Sequence, residues 1–91
     1  MITRVERTKR FEKELDRVPE AIRVKAIFWI GLVETLGLPE VRKRPGYHDE
    51  PLKGERKGQR SVRLSQAYRL IYREVRDHLE ILLMEMSKHE Y

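Results

Sequence analysis

Between Leu38 and Arg60 the chain carries three of its four prolines and three of its five glycines, at Pro39, Pro45-Gly46, Pro51, Gly54 and Gly58. No long helix or strand tolerates breakers at that density. The segment therefore splits the chain into a first part whose apolar residues recur at helical spacing and a second part whose apolar residues alternate. Ninety-one residues suffice for one modest core and not for two, so residues 1–91 are expected to form a single domain of two packed layers.

In the first part, Ile2 and Val5 bracket polar residues in a short candidate edge strand, Met1 to Glu6. Phe11, Leu15 and Val18 then mark one face of a helix from Thr8 to Arg17, with Thr8 as N-cap. Pro19 opens a second helix. Its buried stripe is Ile22, Ala26, Trp29 or Ile30, Val33 and Leu36, widened by Ile27, Phe28 and Leu32, and Gly37 and Pro39 stop it. Phe11, Phe28 and Trp29 read as core. In the second part, Val62 and Leu64 point inward from Ser61–Ser65, and Tyr68, Leu70 and Tyr72 from Tyr68–Arg73, against Arg69, Ile71 and Arg73 outward. Leu79 to Met86 is apolar on both faces, as a central strand is. The expected fold is α+β in the order β-α-α-β-β-β: a helical hairpin on one face of a small, mainly antiparallel sheet, with the other face free.

Charge is concentrated on the junction. From Val41 to Arg73 there are ten Lys and Arg against three Asp and Glu, an excess of +7 in a chain whose formal total is +5, which leaves the remainder at −2. A cationic segment on an otherwise slightly acidic chain is the footprint of a polyanion-binding face. No window is apolar enough for a membrane span and Arg4, Arg7, Lys9 and Arg10 do not resemble a signal peptide, so the cytoplasm is the expected compartment. The absence of cysteine excludes disulfides and thiolate metal sites, and His48, His78 and His89 lack ligand spacing. Metal-free, cofactor-free chemistry is the expectation.

If Ser65-Gln66-Ala67 is the hairpin turn, Arg63 faces Arg69 across the strand pair. Opposed like charges destabilise a sheet, and an anion between them relieves the cost, for which a guanidinium fork suits a phosphate. The alternative is that both arginines meet solvent or pair with Glu74 or Glu80. Glu50, amid Lys53, Arg56, Lys57 and Arg60, is placed to act as a general base on a ribose 2′-hydroxyl, or is an ordinary surface acid. His89 is a candidate general acid or an exposed tail histidine, and Tyr91 a candidate base-stacking ring or a cover for the sheet edge.

The run Glu50-Pro51-Leu52-Lys53-Gly54, Gly58, Arg60-Ser61, Arg63-Leu64-Ser65 and Tyr68-Arg69-Leu70-Ile71-Tyr72 resembles the RelE/ParE superfamily of bacterial toxins, and within it the YoeB- and YafQ-like mRNA interferases. The resemblance covers the whole chain in element order and is most specific from His48 to Tyr72. It implies a toxin that enters the ribosomal A site, contacts ribosomal RNA, cleaves mRNA without metal by 2′-hydroxyl attack, and is neutralised by a cognate antitoxin. Transferred by position, Glu50 is the base, Arg63 and Arg69 bind the scissile phosphate, and His89 and Tyr91 supply the acid and the stacking ring. Lys53, Arg56, Lys57, Arg60 and Arg73 form the RNA-binding set. Ala67 stands where some relatives carry a catalytic acid, and Glu90 separates His89 from Tyr91. Two other functions fit the same sequence less well: a ParE-like gyrase inhibitor, and a basic binding module without catalysis.

Overall fold

The helical half forms where a cap, an apolar face and a stop coincide. In the computed structural model, which describes residues 1–86, strand β1 (Arg4–Arg7) leads into α1 (Lys9–Arg17), α2 (Glu20–Leu36) and a short α3 (Leu38–Arg42). The Thr8 hydroxyl accepts the Phe11 N–H at 3.1 Å and caps α1. Pro19 is the N-cap of α2, and Gly37, at φ 88°, ends it. That positive φ calls for glycine, and a Cβ there would in addition displace the exposed Met1 side chain. Helix α3, five residues long, lies inside the segment expected to hold no long helix or strand. Pro39 falls in its first turn, where the missing N–H has no helical partner to lose, and Leu38 and Val41 are buried.

Single 3₁₀ turns at Pro45–Tyr47 and Gly54–Arg56 flank β2 (Glu50–Pro51), after which come β3 (Gln59–Arg63), β4 (Tyr68–Val75) and β5 (His78–Met86). The sheet order is β1-β5-β4-β3-β2; β1 runs parallel to β5 and the other pairs are antiparallel. The expected β-α-α-β-β-β order is present, with α3 and the two-residue β2 added. Both additions are too short to produce a sequence period.

One core joins the layers. Phe11 and Leu15 of α1 and Ile22, Ala26, Trp29, Ile30 and Val33 of α2 pack with Val62, Leu70, Tyr72, Leu79 and Ile81 of the sheet. The Trp29 and Tyr72 rings meet at 5.4 Å between centroids. Phe28, expected in this core, is instead 62% exposed, and Ile27 and Leu36 are also exposed. The apolar stripe of α2 is wider than the sheet surface beneath it, and its far edge meets solvent. There Val24 and Phe28, with Tyr47, Leu64, Arg44 and Arg63, line a cavity of about 490 Å³.

A register shift decides what lies across the sheet. The Arg76-Asp77 turn pairs Val75 with His78, and a regular ladder from there would set Arg69 opposite Met84. The observed ladder holds as far as Tyr72 with Ile81 and then slips by one, pairing Ile71 with Leu83 and Arg69 with Glu85. Leu82 is the extra residue of this bulge. Its carbonyl accepts the Thr8 hydroxyl at 2.7 Å, and the Met84 N–H donates to the Glu14 carboxylate at 2.8 Å, so α1 holds the bulge in place.

Candidate active site on the second sheet face

Paired residues share a face of the sheet, and residues two apart along a strand do as well. The face away from the helices therefore carries the row Arg63, Arg69, Glu85 and, beside it, the row Glu50, Ser61, Ile71, Leu83. Arg63 does oppose Arg69, because the turn is closed as expected: the Leu64 N–H donates to the Tyr68 carbonyl at 3.0 Å, and the Ser65 hydroxyl accepts the Ala67 and Tyr68 N–H groups. Glu50 is exposed and lies diagonal to Arg63 on the neighbouring strand.

Neither Glu74 nor Glu80 is the partner of these arginines. Glu74 accepts from Arg42 at 3.1 Å and Glu80 from Arg73 at 2.7 Å. Arg69 instead grips Glu85, donating from Nε at 2.7 Å and from Nη2 to the same carboxylate oxygen. Arg56 closes on that carboxylate from above, with Nη1 and Nη2 at 3.0 and 3.3 Å. Arg63 is exposed and has no polar partner among the described residues. Burial acts to raise the Glu85 carboxyl pKa, but hydrogen bonds and charge from Arg56 and Arg69 outweigh it and hold the value below the ordinary carboxylate range.

The second face is consequently not bare. Arg56 also bonds Gln59 on β3 at 3.3 Å while reaching Glu85 on β5. Its guanidinium thus bridges the two strands on either side of β4. Ile71, expected to face outward, lies on this face and is fully buried apart from the main core. Arg56, Arg69, Glu85 and Met86 line a cavity of about 310 Å³.

Arg60, grouped by sequence with the RNA contacts, lies on the other face. It pairs with Tyr72 in the ladder and donates from Nε to Asp49 at 2.6 Å. The Asp49 side chain is only 1% exposed and also accepts the Tyr72 hydroxyl at 2.6 Å. Arg42 completes the group, donating to the Tyr72 oxygen at 3.1 Å. Burial, together with the hydrogen bond to the Asp49 carboxylate and its charge, pushes the Tyr72 hydroxyl pKa far above normal against the opposing pull of Arg42, so this phenol stays protonated and donates. The hub fixes the residue directly before Glu50, on the face opposite to it.

Of the other residues named from sequence, Lys53 and Lys57 are exposed around the Gly54–Arg56 turn, and Arg73 is half exposed and paired with Glu80. His89 and Tyr91 lie outside the described residues. Asp49, Arg42 and Glu85 were not read as functional. Asp49 precedes the two-residue β2, too short a strand to mark its facing in sequence, and the position of Glu85 depends on a bulge that leaves no mark in the sequence.

No protein-family model and no curated protein matches the chain. Solved structures do. YafQ from E. coli superposes with a TM-score of 0.75 at 21% identity over 91% of each chain. A chain of the archaeal RelE–RelB complex from Pyrococcus horikoshii gives 0.74 at 22% identity, covering 99% of this chain and 100% of that one. A YoeB/ParE toxin from Agrobacterium tumefaciens gives 0.67 at 20% identity, over 92% and 98%. The domain therefore has the fold of the RelE/ParE toxins, as the resemblance in residues 48–72 implied.

Proposed function

We propose that this chain is the toxin of a type II toxin–antitoxin pair and an endoribonuclease that cleaves mRNA on the ribosome. The observation that carries the reading is the second sheet face, where a carboxylate, Glu50, shares one surface with the opposed arginines Arg63 and Arg69. The fold shared with toxins solved in complex with antitoxins, DinJ–YafQ among them, supports both the toxin role and a cognate antitoxin as partner.

In this reading Glu50 takes the proton of a ribose 2′-hydroxyl as its oxygen attacks the adjacent phosphorus. The phosphorus–O5′ bond breaks, leaving a 2′,3′-cyclic phosphate and a 5′-hydroxyl, whose proton comes from an acid that the sequence resemblance assigns to His89. The phosphorane carries more negative charge than the diester, so guanidinium groups at Arg63 and Arg69 stabilise it preferentially. Arg56, Lys53, Lys57 and Arg73 hold the flanking backbone and ribosomal RNA; Arg60 is left to the Asp49 hub.

The test is growth arrest and mRNA cleavage after induction of wild-type and variant chains. Arg69→Ala is expected to lower the cleavage rate roughly 10²- to 10³-fold, the scale for losing one transition-state donor. Glu50→Ala is expected to lower it roughly 10²- to 10⁴-fold. Both should stay folded. Full toxicity in both variants, or arrest accompanied by inhibition of gyrase supercoiling without RNA cleavage, contradicts the proposal.

A further inference from the structure

We infer that Glu85 is the resident ligand of a phosphodiester-binding fork formed by Arg56 and Arg69, and that RNA must displace its carboxylate to reach those arginines. This rests on the reading that Arg69 meets the scissile phosphate, and it names a residue that the reading does not require.

The geometry is that of an anion site already filled. Four guanidinium nitrogens from two elements, Nη1 and Nη2 of Arg56 and Nε and Nη2 of Arg69, converge on one carboxylate. A carboxylate and a phosphodiester present the same recognition unit, two equivalent oxygens sharing one negative charge, and forked guanidinium binds both. The site also has room: the cavity of about 310 Å³ is bounded by these two arginines, Glu85 and Met86. Arg63 stands next in the same row, exposed and without a partner among the described residues.

Glu85 has two opposed effects on such a ligand. It keeps Arg56 and Arg69 aligned in the absence of RNA, which lowers the ordering cost of binding. It also cancels their charge and must be desolvated or moved when phosphate enters, and like charges forced together oppose binding. The second effect dominates, because the carboxylate occupies the position between the guanidinium groups instead of supporting them from behind.

The two effects predict opposite signs. Binding of a single-stranded RNA oligonucleotide with 2′-O-methyl groups, which blocks the attacking hydroxyl, is measured by fluorescence anisotropy for the full chain. Glu85→Gln and Glu85→Ala are each expected to bind roughly tenfold more tightly than wild type, and the gain should vanish when Arg69→Ala is added. Glu34→Gln, which removes the same charge from an exposed site on α2, controls for net charge. Affinity unchanged or lowered in both Glu85 variants, with Arg69→Ala still weakening binding, overturns the inference and leaves the catalytic reading standing. An equal gain in Glu34→Gln overturns it too. Unaltered affinity in Arg69→Ala alone removes the phosphate contact itself, and both readings fall.

Discussion

Two carboxylates, Asp49 and Glu85, organise the cationic segment from opposite faces of the sheet. Asp49 is almost wholly buried among Arg60, Tyr72 and Arg42. Asp49→Ala would strand those cations and is expected to cost about 3 kcal/mol in urea unfolding, the low end for a broken buried pair, because Arg60 and Arg42 retain some contact with water. Glu85 contributes through its lowered pKa. Its folded value lies below the unfolded one, so the contribution is full above the ordinary carboxylate value of about 4.3 and is lost as pH falls through the depressed folded value. Between pH 7 and pH 3 the melting temperature of Glu85→Gln should accordingly fall less than that of wild type. A parallel fall in the two proteins would show that the arginine clamp does not favour the ionised form.

At the scale of elements, the bulge in β5 links helix packing to the site. Thr8 caps α1 and holds the Leu82 carbonyl, and Glu14 takes the Met84 N–H, so α1 and its cap support the register that brings Glu85 to Arg69. Thr8→Ala should destabilise the protein by about 1 to 2 kcal/mol, a lost cap and a lost bulge contact, while Thr8→Ser stays near wild type in chemical denaturation. These elements were unequally legible. Thr8, the Phe11–Leu15 face, Gly37 and the Arg63–Arg69 opposition followed from spacing and turn chemistry, which are local. The exposure of Phe28 and the burial of Ile71 did not, since each depends on what other elements cover, as with the sheet too narrow for the stripe of α2.

For the whole molecule, the helices and the core occupy one side of the sheet, and the other carries Arg56, Arg63, Arg69 and Arg73 with two clamped acids, Glu85 and Glu80, and the exposed Glu50. Arg63 and Arg69 were readable as a pair because hairpin alternation places them on one face, and Glu50 was added to them only by the family resemblance. Glu85 was not legible, because a single inserted residue reverses which side of β5 faces the arginines. RNA binding to this face should weaken steeply with salt, with a log–log slope of about −0.7 per phosphate contacted for a single strand; a flat salt response in anisotropy titrations would exclude a phosphate-led interface. Cleavage of RNA by this face is tested by transcriptome-wide mapping of RNA ends minutes after induction. New 2′,3′-cyclic phosphate and 5′-hydroxyl ends are expected within translated mRNA for wild type, and their loss in Arg69→Ala. Growth arrest by wild type with no new ends, or the same ends in Arg69→Ala, would contradict it.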